Sequence, residues 1–119
     1  MTKAHFYKTD SRFTGFKIKG HADLSLDAPD VLCAAVSSMT LLVINTLTDV
    51  FGCETDFKQD EEEPSISLDI LSCPSENERC VDGILRGFVL QLEDLSEQYP
   101  KNLYVEVHKN TTKGTKDND

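Results

Sequence analysis

Residues 31 to 48 contain no charged side chain, although charged residues make up 28% of the chain. A run of that length has two physical outcomes: it crosses a bilayer, or it folds as a helix with one side in a protein core. Ser37, Ser38, Thr40, Asn45, Thr46 and Thr48 interrupt the apolar residues, and Asp30 and Asp49 bound the run without a flanking Lys or Arg. Acidic flanks and so many hydroxyls fit a core helix and not a membrane span. The small residues Ala34, Ala35, Ser37 and Ser38 would let such a helix approach a sheet closely. Gly52 stands where a helix over 31–51 needs a C-terminal stop.

The segments on either side alternate with the period of a strand. "AHFYK" and "FTGFKIKG" form two strands joined by the polar turn Thr9-Asp10-Ser11-Arg12, with Phe16 and Ile18 alternating against Lys17 and Lys19. After Gly52, Cys53, Thr55 and Phe57 alternate with Glu54, Asp56 and Lys58. The acidic run to Glu63, with Pro64, makes a solvated turn, and Ile66, Leu68 and Ile70 then alternate with polar neighbours.

Ser75 and Glu78 have the spacing of a capping box. Behind them Val81, Ile84, Leu85, Phe88, Leu92, Leu95 and Tyr99 recur at three and four, one face of a helix that Pro100 stops. Gly83 and Gly87 lie one turn apart on it and predict close packing, against the first helix or against a second copy of the chain. "NLYVEVH" supplies a last strand. The order is β-β-α-β-β-α-β, which predicts an α+β two-layer sandwich: a mostly antiparallel sheet with one wet face and two helices on the other. Residues 1–110 are expected to form one domain, and 111–119, which lack apolar residues, a disordered tail.

Composition narrows the function. Acids outnumber bases 21 to 12, a net charge of -9, and no basic patch stands out, so direct nucleic-acid binding is not expected. A basic protein partner is electrostatically easier. The N-terminal residues have no signal-peptide pattern, which predicts a cytoplasmic protein with reduced thiols. Four cysteines and three histidines match no zinc template, and the acidic run Asp60 to Glu63 reads as a solvated turn, so no metal or cofactor is expected.

The chemistry concentrates in "GHADLSLDAPDVLCAAVSS", residues 20 to 38. Asp30 is a good helix N-cap, which places Cys33 in the first helical turn. There the helix dipole favours a thiolate, and the backbone N–H groups of Cys33 and Ala34 could stabilise an oxyanion. His21, at the end of the second strand and just after Gly20, is a candidate base, and Ser37 lies one turn beyond Cys33 on the same helix face. On spacing alone, a cysteine serving as a small core hydrophobe and a surface or hydrogen-bonded histidine are the commoner reading of these residues.

As a motif, Gly-His-Ala followed at this separation by Asp, two apolar residues, Cys-Ala-Ala and a Ser four residues after the Cys resembles the bacterial ribosomal-processing cysteine protease family. The resemblance implies a homodimeric endopeptidase that removes an N-terminal extension from large-subunit ribosomal protein twenty-seven, a strongly basic precursor. It implies His21 and Cys33 as the catalytic dyad, with Gly20, Asp30 and Ser37 in support and no metal or cofactor. The chain departs from the family in the loop between His21 and Asp30, where family members often carry glycine and Ala28 and Pro29 stand here. The alternative from another class is a non-catalytic, dimeric ribosome-assembly or adaptor module of the same fold.

Overall fold

In the computed structural model, residues 1–20 and 30–110 are described, with the side chain of Asp30 excepted. His21, the loop 22–29 and the tail 111–119 lie outside the described residues. Strands β1 (Thr2–Thr9) and β2 (Arg12–Lys19) form an antiparallel hairpin whose turn holds Asp10 at φ 59°. Ala4 faces Ile18 and Phe6 faces Phe16 across it. β3 (Glu54–Asp60) and β4 (Ser65–Ser72) form a second antiparallel pair, and β4 continues the sheet beside β2 with Phe16 opposite Leu68. β5 (Leu103–Asn110) runs parallel to β1, so the order of the five-stranded sheet is β3-β4-β2-β1-β5. This is the expected α+β architecture, with one parallel pairing at the edge.

Alternation decides which face is covered. Ala4, Phe6, Phe16, Ile18 and Leu68 point to one side and join a single buried cluster with residues of the two helices. The opposite face carries His5, Tyr7, Lys17, Glu106 and His108, none of them fully buried. Helix α1 (Asp30–Asn45) contributes Leu32, Val36, Val43 and Ile44 to the cluster, and Leu47 follows from a π-helical turn over Thr46–Val50. Seen from Val31 to Val50 this is one helical run long and apolar enough to cross a membrane; 28% of that stretch is buried, on the side that carries Leu32, Val36, Val43, Ile44 and Leu47, and Val31, Leu41, Leu42 and Val50 are exposed. The buried Thr40 hydroxyl is satisfied within the helix, donating to the Val36 carbonyl at 2.7 Å, and the half-buried Thr48 donates to that of Ile44 at 3.0 Å. Gly52, at φ +70°, ends the run in the left-handed conformation expected of a stop.

Helix α2 (Glu78–Gln98) buries Val81, Leu85, Phe88, Val89 and Leu92, with Ile84, Leu95 and Tyr99 packed at the margin. The helical face read from the sequence is therefore the one that docks. Its N-terminus differs from the expected capping box. Ser75–Asn77 form a 3-10 turn, Asn77 precedes the α-helix without a side-chain cap, and the Glu78 carboxylate pairs with Arg12 on the hairpin. A partner outside the helix has taken the acceptor that a capping box would use.

A further expectation is corrected. A Cβ added at Gly83 or Gly87 would meet nothing within 4 Å, so these glycines do not serve close packing on α1; they face open space. Phe57 is 45% exposed, because β3 is the edge strand and its whole length is largely solvated. Alternation identified the strand but could not say that neither of its faces would be well covered.

Candidate active site

Because α1 follows β2 and starts at Asp30, Cys33 sits in the helix's first turn. Leu32 is buried beneath it in the core and anchors that turn to the sheet, while Cys33 itself is half-buried. Ser37, one turn on, is exposed on the same side of the helix. Cys33 and Ser37 line a cleft of about 340 Å³ together with Val36, Thr40, Gly20 and residues of the β3–β4 turn. That volume is within the roughly 300–1,000 Å³ typical of ligand-binding clefts, enough for a few side chains of an extended peptide.

Gly20 brings the end of β2 to this cleft. Its N–H donates to the Pro64 carbonyl at 2.8 Å, which ties the strand end to the β3–β4 turn. Its φ of +87° lies in the region that favours glycine, and a Cβ here would come within 2.5 Å of the Met1 carbonyl oxygen. The chain can make this turn only with a glycine, and His21 follows it directly in sequence. Of the residues singled out from the sequence, Gly20, Cys33 and Ser37 are thus brought together, and the backbone of Ala34 lies in the same helical turn as Cys33. His21 and the Asp30 side chain lie outside the described residues.

Several cleft residues were not anticipated. Thr40 is buried in the floor, and Asp60 and Glu61 give the opposite wall a negative charge. The acidic run was visible in the sequence as a solvated turn. Its position depends on β4 pairing with β2 so that Ser65 falls opposite Lys19, and no local signal encodes that pairing. Asp60 also shapes its own turn, accepting from the Glu62 N–H at 2.9 Å.

Two of the other cysteines are set apart by environment. Cys53 is buried at the start of β3; burial first, and a hydrogen bond with Cys73 second, push its thiol up to about 12, which keeps it protonated and inert at neutral pH. Cys80 is exposed on α2 and does not line this cleft. Cys33 therefore combines a helix-start position with access to a cleft.

The model of a protein family described as cysteine protease Prp matches residues 1–104. The chain belongs to the Prp cysteine-protease family. It is accordingly a cysteine protease, a hydrolase of peptide bonds, and the match spans the strand end, the start of α1 and the acidic turn that build the cleft. No curated protein matches at a significant level. Solved structures agree with the fold. SMU.848 from Streptococcus mutans superposes with a TM-score of 0.81 at 21% identity, covering 92% of this chain and 96% of that one. A structure of the essential ribosomal processing protease Prp from S. aureus, in complex with a covalently linked product peptide, gives a TM-score of 0.75 at 19% identity over 90% of this chain and 99% of that one. The same protease with a substrate peptide gives 0.75 at 18% identity, with the same coverage. At these identities the structural likeness speaks for the five-stranded sheet and its two helices, and the family match carries the chemistry.

Proposed function

We propose that this Prp-family protease cuts an N-terminal extension from the precursor of large-subunit ribosomal protein twenty-seven, using Cys33 as nucleophile and His21 as base. The observation that carries the assignment is the shared cleft of Gly20, Cys33 and Ser37, with His21 next to Gly20 in the chain. The Cys33 sulfur attacks the scissile carbonyl while His21 takes the thiol proton. His21 then protonates the leaving amine, and a water that His21 deprotonates cleaves the thioester and restores the thiol. N–H groups of the first helical turn, those of Cys33 and Ala34, receive the oxyanion, and Asp30 and Ser37 hold the site in shape. Asp60 and Glu61 favour a substrate with Lys or Arg beside the cut, as a strongly basic ribosomal protein offers.

The test is direct: the wild-type enzyme and purified precursor are mixed and the product N-terminus is read by mass spectrometry. Wild type should shorten the precursor at one site, and His21→Ala should lower kcat/KM about 10²–10⁴-fold. In parallel, the rate at which Cys33 is alkylated at neutral pH should fall in His21→Ala. An unchanged precursor with wild type ends the substrate assignment, and unaltered kinetics in His21→Ala end the dyad.

The working form is proposed to be a homodimer. On α1, Val31, Leu41 and Leu42 are 71%, 50% and 60% exposed, with Ala34 and Ser38 exposed between them, an uncharged row on a chain of net charge -9. A second copy of this uncharged face is the occupant that brings no like charge onto it, whereas the rest of the acidic surface repels its own kind. Leu42→Glu should convert a dimer to a monomer in light scattering; a wild type that is monomeric at micromolar concentration sinks the idea.

A further inference from the structure

The wet face of the sheet carries a cluster whose residues line no part of the Cys33 cleft. Parallel pairing of β1 and β5 sets His5 opposite Glu106 and Tyr7 opposite His108. His5 Nδ1 and His108 Nε2 are 2.9 Å apart, and Glu106 Oε1 lies 3.8 Å from the same His108 nitrogen. One ligand-type atom from each of the three residues falls within 4.8 Å of the others, and all three are half-buried.

We propose that His5, Glu106 and His108 form a zinc site that clasps the C-terminal strand β5 to β1. Two imidazole nitrogens and one carboxylate oxygen are an ordinary donor set for zinc, with solvent free to complete a tetrahedron. Zinc–nitrogen bonds of about 2.0–2.1 Å place two ligand nitrogens about 3.3 Å apart in a tetrahedron, so the imidazole pair needs to open by a few tenths of an ångström. The ion replaces the proton that the two rings now share. The carboxylate has the longer way to move, and it ends a flexible side chain.

The surroundings hold the ligands as metal sites require. The Tyr7 ring stacks on His108 with centroids 5.0 Å apart, which restrains that imidazole. The Tyr104 hydroxyl donates to Glu106 Oε1 at 3.1 Å, which orients the carboxylate. Lys3 and Lys19 face each other on the same side of the sheet and act against a cation near His5. The Glu106 charge and the overall charge of -9 act in its favour. No sequence template announces this site, because its first and last ligands are more than a hundred positions apart and meet only through the β1–β5 pairing.

Since Cys33 could itself bind zinc, the test uses the full chain carrying Cys33→Ser, stripped with a chelator. Zinc alone is titrated by calorimetry, and cobalt(II) serves as a spectroscopic probe. One ion per chain is expected, with cobalt absorption in the visible range and no thiolate-to-cobalt charge-transfer band. His5→Ala and His108→Ala should each weaken binding at least tenfold, and so should the near-isosteric Glu106→Gln, which keeps the test sound if a histidine variant folds poorly. Zinc should also raise the melting temperature of the Cys33→Ser protein and not that of the His108→Ala derivative. Binding only above millimolar zinc, a thiolate band, or affinity unchanged by all three substitutions would overturn the site.

Discussion

Cys33→Ala should lower kcat/KM for precursor cleavage by roughly 10⁴-fold or more, an amount typical of removing the nucleophile from a covalent mechanism. At about 1.36 kcal/mol per tenfold, that is a loss of about 5 kcal/mol or more of transition-state stabilisation. The fold should survive. Cys33 is half-buried at the edge of the core, and trimming one sulfur there costs about 1 kcal/mol or less. Far-UV circular dichroism and the urea midpoint check the fold, and initial rates on the precursor check the chemistry. Cys80→Ala is the matched control, because that thiol is exposed on α2 and lines no part of the cleft, and its activity should equal wild type. Cleavage that persists in Cys33→Ala would move the nucleophile elsewhere. It would not move to Cys53, whose burial holds it protonated.

The largest effect on stability is expected at Phe6. Its ring is fully buried at the centre of the β1–β2 hairpin and touches three others: Phe13 at 6.2 Å, Phe16 at 5.8 Å and Phe88 at 5.3 Å between centroids. Phe88 comes from α2 and also meets Phe16 edge-on, so this cluster is where the helix seats on the sheet. Phe6→Ala removes the ring and leaves a cavity that the sheet backbone cannot collapse to fill. The cost should be about 3–5 kcal/mol, against the roughly 5–15 kcal/mol that holds a domain of this kind together. The urea midpoint should fall sharply with an unchanged m-value. Phe57→Ala, the same substitution on the solvated edge strand, should change stability by no more than about 0.5 kcal/mol. Equal effects at the two positions would mean that the ring cluster does not anchor α2.

Much of this protein can be read along the chain, and the reasons are local. The alternation of Phe16 and Ile18 with lysines, the helical spacing from Val81 to Tyr99, and Gly52 as a stop are each imposed by backbone geometry within a few residues. The buried face of α2 followed from that spacing alone. The catalytic candidates were proposed for another reason: a Gly-His pair and a Cys at a helix start form a short motif that resembles a family, and the model of that family matches residues 1–104.

What could not be read depends on pairings between distant segments. Phe57 has the pattern of a buried strand residue and is exposed because β3 ended at the sheet edge. Glu78 has the position of a capping residue and is instead paired with Arg12, 66 positions away. Gly83 and Gly87 suggested close packing, and within this chain nothing lies within 4 Å of a Cβ added at either.

The sequence by itself determined the elements, the helix that carries Cys33 in its first turn, and the family to which that motif belongs. Those features rest on interactions within a turn or two of the chain. Only the tertiary structure decided that Asp60 and Glu61 wall the cleft and that His5 meets Glu106 and His108. Strand order and register are set by which apolar faces bury one another, a competition among all the strands at once.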